Sequence, residues 1–402
     1  MSLEELHENL VEFKAINFKT DFFVSISSAD YNIKNNSDSR YYTINETCNN
    51  DDSIYKSDLL RYKQDIDILK RYGIQNFKFS LSWSLILPDG TGESNNDAIA
   101  FYNEVIDICI ENKVVPFVSI FDSYLPTILE KKGGWSNREM LDWFENYVGI
   151  CVNAFTSKVD HWIIYNEPSV FTKATQFLEV NPRRKNSVNN FLSALHHALL
   201  CKSLGYKKIK EIAKESQVGT FFCYNYFIPL TFSEKDLKAV ERADAILNRI
   251  FIEPSLGLGY PIKTLPFLKN ISKYSLPGDE NLIKVDFDFI GLQNCRREIV
   301  KHNLFVPYLN AKLVEYDKLR VKKNHLVSEI YHELIHLIVR KYIMYERVKK
   351  IYINEPLASF NTQNDEQLDN SDINENNIQF ILEQIVLANK SGEEVNGYFT
   401  SS

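Results

Sequence analysis

Short apolar runs alternate with longer segments of helical periodicity along most of the chain. Eight runs rich in β-branched and aromatic residues predict strands, and several of these are apolar nearly throughout, as in a parallel sheet buried on both faces. Between the runs, apolar residues recur at helical spacing, and Ile66, Leu69 and Tyr72 form one such stripe. The predicted strands are 21–27, 75–80, 114–121, 159–165, 218–224, 285–292, 350–353 and 395–400.

Eight strands alternating with helices predict a single α/β domain over residues 1–402, a (β/α)8 TIM barrel. An open doubly wound sheet is the alternative, but no glycine-rich turn follows the first strand. The chain stops at the eighth strand, so the barrel is expected to lack its last helix. Residues 1–14 predict an amphipathic N-terminal helix that could cover the open seam. A second copy of the chain or a partner protein is the other candidate for that cover.

Composition and charge narrow the range of functions. Lys+Arg 46 against Asp+Glu 53 gives a net charge of −7 over 402 residues, which does not favour a nucleic-acid partner. No apolar run approaches the ~18–20 residues that span a bilayer, and the residues after Met1 lack the basic start of a secretory signal. Six scattered cysteines are typical of free thiols in a reducing compartment. We therefore expect a cytoplasmic protein without a membrane partner.

The carboxyl ends of two predicted strands carry matching acidic motifs. The fourth strand is followed by Asn166-Glu167-Pro168, and the seventh by Asn354-Glu355-Pro356. Reactive groups of TIM barrels lie at this edge, and strands three apart in the ring face each other across its mouth. Two facing carboxyl groups, one acid and one nucleophile, are what the cleavage of a glycosidic bond requires.

These motifs and others along the chain resemble those of the family 1 glycoside hydrolases, the β-glucosidase family. The resemblance implies a retaining β-glycosidase in which Glu167 is the acid/base and Glu355 the nucleophile. It implies a small glycoside or oligosaccharide as substrate, no metal and no organic cofactor, with Asn166 binding the sugar 2-OH. The matching stretches include Lys78-Phe79-Ser80-Leu81-Ser82-Trp83, Gly133-Gly134-Trp135-Ser136-Asn137-Arg138, His161-Trp162-Ile163-Ile164-Tyr165-Asn166-Glu167-Pro168 and Asp288-Phe289-Ile290-Gly291-Leu292.

The positions that bind sugar in this family are altered in the chain. Lys78 stands for an arginine, Asn32 for a glutamine, and Asp122 for a histidine in a segment that ends at Tyr124. Gln293 and Asn294 stand where the family has asparagine and tyrosine. We keep all of them as substrate-binding candidates of an altered subsite, and the extra carboxylate suggests an aminosugar substrate. The alternative is a barrel that has lost catalysis and serves as a binding or regulatory scaffold.

A competing motif lies at His332-Glu333-Leu334-Ile335-His336, which matches the H-E-x-x-H pattern of zinc peptidases. Glu355 follows after eighteen residues, a spacing known for the third zinc ligand. A zinc metallopeptidase is therefore a remote alternative, although the barrel arrangement would place this segment on an outer helix. The pair His196-His197 lies on another predicted helix and is interpreted as packing and surface residues.

Overall fold

The structure is a computed structural model that describes residues 22–27, 52–71, 73–122, 124–166, 187–314, 334–356, 381–392 and 394–401. Each of the eight predicted strands corresponds to a strand of the structure. An additional short strand, β7, lies between the sixth and seventh of them. The strands are β1 (Phe23–Ser27), β2 (Asn76–Ser80), β3 (Val115–Phe121), β4 (His161–Asn166), β5 (Gln217–Pro229), β6 (Phe289–His302), β7 (Ala311–Leu313), β8 (Ile351–Pro356) and β9 (Gly397–Ser401).

Eight of these strands form a ring in which every neighbouring pair is parallel. The order is β1-β2-β3-β4-β5-β6-β8-β9, and β9 pairs with β1 to complete it. The predicted (β/α)8 TIM barrel is thereby confirmed. Residues 1–14, predicted to form an N-terminal helix, lie outside the described residues.

Large aromatic rings fill the inside of the barrel beneath its mouth. Glycines on the inner face make room for them, because a Cβ at Gly291 would lie 2.1 Å from the Phe221 ring and one at Gly219 would lie 2.3 Å from Phe289. Aromatic residues thus lie opposite glycines of neighbouring strands, and the lower barrel is a packed core. The interior cluster consists of Phe117, Ile163, Phe221, Phe289, Tyr352 and Phe399, with Phe23 packed against it.

Helices cover the outside of the ring and bury the outward-facing apolar residues of the strands in a second, larger core. Residues 381–390 are also helical and precede β9. The longer helices are α1 (Asp52–Arg71), α2 (Asn96–Glu111), α3 (Met140–Phe155), α4 (Ser187–Ile212), α5 (Glu234–Asp244) and α6 (Leu334–Ile343). Shorter helical segments are Trp83–Ile86, Thr127–Lys131, Gly134–Ser136, Ala245–Arg249, Ile250–Ile252, Pro266–Lys273 and Asp279–Leu282.

The sixth barrel strand differs from its prediction at both ends. Residues 285–288 were expected in the strand but precede it as irregular chain, and their apolar members Val285 and Phe287 are buried. Burial of a loop against the core produced the same apolar pattern as a strand. Beyond the barrel, β5 and β6 continue as a two-stranded ladder from Asn225↔Arg296 to Pro229↔Val300, and β7 pairs antiparallel with β6.

Candidate active site

The candidate site lies at the carboxyl edge of the ring. Asn166 is the last residue of β4, and Glu355 is the last but one of β8, where its backbone pairs with Thr400 of β9. Three steps around the ring, through β5 and β6, separate these two strands. Glu167 follows Asn166 outside the described residues, and the side chain of Glu355 is outside them as well.

Three of the predicted site residues form one chain of hydrogen bonds. Lys78 Nζ donates to Asn166 Oδ1 at 3.2 Å, and Asn166 Nδ2 donates to Asp122 Oδ2 at 2.9 Å. The amide therefore turns its negative end toward the ammonium and its positive end toward the carboxylate. This arrangement fixes the orientation of Asn166, because a flipped amide would face both charged groups with the wrong end.

Lys78 is almost completely buried, although it carries a positive charge. Its Nζ lies 4.6 Å from the centre of the Phe221 ring and 5.9 Å from that of Phe399. The faces of aromatic rings attract cations, so the top of the interior cluster supports the ammonium. Lys78 thereby links the packed core of the barrel to the candidate site.

Asp122 is half-buried and accepts a second hydrogen bond, from Ser80 Oγ at 3.2 Å. Ser80 ends β2 and is an additional site residue, which its place at a strand end indicates. Tyr124, two residues after Asp122, is largely exposed. The structure therefore places Asp122 beside Asn166 and Tyr124 at the surface.

A buried pair of amides lies on the neighbouring strands. Asn354 Nδ2 donates to Gln293 Oε1 at 2.8 Å, and the two residues are direct partners in the β6–β8 ladder. Among the described residues, the Asn354 Oδ1 atom has no hydrogen-bond partner. Of the other candidates, Asn294 belongs to β6 with its side chain outside the described part, and Asn32 lies wholly outside it.

An aromatic layer supports the ends of β3 and β4 from outside the ring. Trp135 packs edge-to-face on Phe121 and Tyr165, which precede Asp122 and Asn166 directly. The Tyr165 hydroxyl donates to the carbonyl of Ala198 in α4 at 3.0 Å. These contacts fix the strand ends that carry the hydrogen-bonded chain.

A buried polar network lies behind Trp135 and corrects the interpretation of His196-His197 as packing and surface residues. Both histidines are buried. His197 Nδ1 contacts the carbonyl oxygen of Trp135 at 3.0 Å, and His196 Nε2 contacts Asp279 Oδ2 at 2.9 Å. Arg138 donates two hydrogen bonds to the same carboxylate, at 2.7 and 2.9 Å.

The network shifts the titration of its members. Burial would raise the pKa of Asp279, but hydrogen bonds from Arg138, from a backbone N–H and from His196 lower it well below its usual range. Burial lowers the pKa of His197 to about 4, and it lowers that of His196 despite the neighbouring carboxylate. Neutral histidines and an ionised aspartate are therefore the native state at neutral pH.

The remote zinc alternative gains no support from the described part of the molecule. His336 belongs to α6, whose apolar side buries Ile338 and Tyr342 in the outer core, while Glu355 ends a strand of the ring. His332 and Glu333 lie outside the described residues. Among those that are described, no three His, Cys, Asp or Glu side chains form a group that could hold a metal ion.

The ring of eight parallel strands, with the candidate site at its carboxyl edge, defines a TIM barrel. The model of glycosyl hydrolase family 1 matches residues 15–402, and the chain belongs to that family. It is 31% identical to β-glucosidase A of Thermotoga maritima over 346 residues, which cover 85% of this chain and 76% of that relative. It is 32% identical to the 6-phospho-β-glucosidase GmuD of Bacillus subtilis over 253 residues, 62% of this chain and 54% of that protein.

Solved structures agree with the sequence comparison. A β-glucosidase of Thermotoga maritima in complex with deoxynojirimycin superimposes with a TM-score of 0.77 at 27% identity. The match covers 96% of this chain and 89% of the other. The likeness therefore extends over nearly the whole barrel.

Proposed function

We propose that the protein hydrolyses β-linked glycosides with retention of configuration, Glu355 acting as nucleophile and Glu167 as acid/base. The observation that carries the proposal is the position of Asn166 and Glu355 at the carboxyl ends of β4 and β8, three strands apart in one ring. Glu167 follows Asn166 directly in the sequence, so the proposal puts both carboxyl groups at this edge. Retention requires them about 5–5.5 Å apart.

The reaction proceeds in two displacements. The Glu355 carboxylate attacks the anomeric carbon, the glycosidic C–O bond breaks, and Glu167 gives its proton to the departing oxygen. Glu167, now a carboxylate, takes a proton from water, whose oxygen attacks the same carbon and releases Glu355 from the ester. Two inversions leave the product with the configuration of the substrate.

The hydrogen-bonded chain at the mouth supports a binding role for Asn166. Lys78 donates to Oδ1 and Asp122 takes one hydrogen of Nδ2, so the second Nδ2 hydrogen remains as a donor to the sugar 2-OH. That bond strengthens as the oxocarbenium ion develops. Lys78 acts through Asn166 and is a positioning residue, whereas Asp122 both orients Asn166 and faces the substrate in this proposal.

The roles of the two glutamates can be separated by azide rescue. We expect Glu167→Ala and Glu355→Ala each to lower kcat/KM on a 4-nitrophenyl β-glycoside by about 10²–10⁴. Azide with Glu167→Ala should give the β-glycosyl azide, and with Glu355→Ala the α-anomer. Exchanged anomers would reverse the roles, and full activity of both variants would refute the proposal. Glu139→Ala, at the start of α3, is the control.

The altered subsite favours a sugar that carries an ammonium group. Asp122 places a carboxylate beside Asn166 where the family pattern that the sequence resembles has a histidine, and a carboxylate attracts an ammonium more strongly than a hydroxyl does. We expect Asp122→Asn to lower the preference for glucosaminides over glucosides by about tenfold. An unchanged ratio of the two kcat/KM values would refute this substrate assignment and leave hydrolysis itself in place.

A further inference from the structure

An exposed apolar tip stands at the end of the β5–β6 extension. We use "the tip" for Leu230, Phe232, Leu304 and Phe305. Phe232 is 90% exposed, Phe305 85% and Leu304 74%. Isolated exposed apolar residues are common, but a group of this size on a water-soluble surface is typical of an interaction site.

One carboxylate holds the two loops of the tip together. Asp236 Oδ2 accepts from the backbone N–H of Thr231 at 3.1 Å, and its Oδ1 accepts from that of His302 at 2.7 Å. Thr231 precedes Phe232, and His302 lies two residues before Leu304. The exposed side chains of both loops therefore lie at the same end of the extension, and we treat them as one patch. The extension continues past the carboxyl ends of β5 and β6, so the patch lies on the same side of the barrel as the candidate site.

The loop between β6 and β7 is braced in its exposed form. Arg242 of α5 donates to the carbonyl groups of Leu309 and Asn310, and Asn303 Oδ1 accepts from the N–H of Phe305 at 2.9 Å. Tyr308 and Asn310 have φ of 68° and 45°, a left-handed conformation that is uncommon for a tyrosine. The loop buries Val306 and Leu309 and leaves Leu304 and Phe305 in solvent.

Two lysines beside the tip have no ion-pair partner among the described residues. Lys301 and Lys312 are direct partners in the antiparallel β6–β7 ladder, where like charges repel. Throughout the described residues, neither has a carboxylate within ion-pair distance. By contrast, Lys238 on neighbouring α5 is paired with Glu234. The lysine pair adds positive charge next to the apolar patch and would be stabilised by an anionic partner.

The shape and size of the patch favour a lipid surface. Its side chains protrude, so they do not enclose a small ligand, which is normally bound in a concave pocket. They offer on the order of 500 Å², less than the ~800 Å² per partner of a stable dimer. Protruding phenylalanine and leucine beside lysines that have no carboxylate partner in the described part of the chain suit the boundary between acyl chains and anionic headgroups.

We propose that the tip docks the protein on membranes rich in anionic lipid, with the apolar side chains inserted and Lys301 and Lys312 at the headgroups. No helix among the described residues is long and apolar enough to cross a membrane. The expectation of no membrane partner was based on the lack of a long apolar run that could span a bilayer. It does not concern binding of exposed side chains at a membrane surface. The proposal does not depend on the proposed glycosidase activity.

Co-sedimentation of the full chain with vesicles tests the proposal. The vesicles contain about one third phosphatidylserine, and a second set contains only phosphatidylcholine. We expect Phe232→Ser with Phe305→Ser to lower the partition coefficient on the anionic vesicles at least about tenfold. Lys301→Gln with Lys312→Gln should lower it about 25-fold at low salt, about fivefold per lysine, and weaken its salt dependence.

The matched controls lie toward the opposite end of the barrel. Leu258→Ser removes an exposed leucine near the chain that leads into β6, and Lys284→Gln with Lys350→Gln removes two cations before β6 and β8. These controls should bind like the parent protein. Equal binding of tip and control variants, or no binding to anionic vesicles at low salt, would overturn the proposal. So would a dimer in analytical ultracentrifugation that the phenylalanine variant abolishes, since the tip would then serve self-association.

Discussion

Replacing Lys202 by methionine should stabilise the protein, and increasingly so as the pH falls. Lys202 lies in α4 and is buried. Its Nζ donates to the carbonyl of Phe251 at 2.9 Å and lies 4.9 Å from the centre of the Phe222 ring. Burial lowers the pKa of its ammonium to about 7 from an ordinary 10.5. The folded protein therefore binds this proton less tightly than the unfolded chain does.

The magnitude follows from the pKa difference. Each pKa unit corresponds to about 1.4 kcal/mol, so the charged lysine costs about 5 kcal/mol below pH 7 and about 2 kcal/mol at pH 9. Above pH 10.5 both states are neutral and the cost disappears. Methionine removes the cost of the buried charge at every pH, but one hydrogen bond that contributes about 1 kcal/mol is lost. Ser255 Oγ also donates to the carbonyl of Phe251, at 3.4 Å, so this oxygen keeps a partner.

We therefore expect Lys202→Met to raise the free energy of unfolding by about 4 kcal/mol at pH 6 and about 1 kcal/mol at pH 9. Urea unfolding followed by circular dichroism, at several pH values between 6 and 9, measures this change in the free energy of unfolding. Lys207→Met, an exposed position of the same helix, should change stability by less than about 0.5 kcal/mol at any pH. Destabilisation by Lys202→Met throughout, or a gain that does not vary with pH, would refute the reasoning.

Three other substitutions test the site and its support. Lys78→Met should lower kcat/KM about 10–100-fold, because Asn166 Oδ1 loses its donor, and Lys78→Arg should recover part of the lost activity. Equal activity of the two variants would contradict the positioning role. Gly291→Ala should destabilise by at least about 2 kcal/mol, whereas the helical control Gly149→Ala should be neutral or stabilising in the same urea titration. Asp279→Asn should lower the free energy of unfolding by about 3 kcal/mol at pH 7. This difference from the parent protein should shrink as the pH falls below 3.8, because the unfolded carboxyl of the parent then takes up its proton. A difference that stays constant between pH 7 and pH 3 would count against the network.

The barrel was predictable because each of its strands is a short apolar run between turn signals. The same rule failed at residues 285–288, where buried loop residues imitate a strand. It also missed the extensions of β5 and β6 beyond the ring, whose mixed polar and apolar residues are not buried on both faces. An apolar run in the sequence indicates that a segment is buried. The segment is a strand only when its backbone also pairs with a neighbouring strand.

The candidate site was predictable in position more than in geometry. The resemblance to the glycoside hydrolase family brought Asn166, Asp122 and Lys78 into one list, and the structure joins them by hydrogen bonds. Which end of the Asn166 amide faces which charge depends on atoms from three strands, and no pattern along the chain encodes it. The burial of His196 was equally hidden, since its partner Asp279 is 83 residues away in sequence.

Trapping the covalent intermediate tests the glycosidase claim most directly. A 2-deoxy-2-fluoro β-glycoside with a good leaving group should add one fluoroglycosyl unit to the intact protein, and peptide mapping should place it on Glu355. The adduct should be absent from Glu355→Gln and present in Glu139→Gln. Attachment to any other residue, or turnover of β-glycosides by Glu355→Gln at the parent rate, would contradict the account.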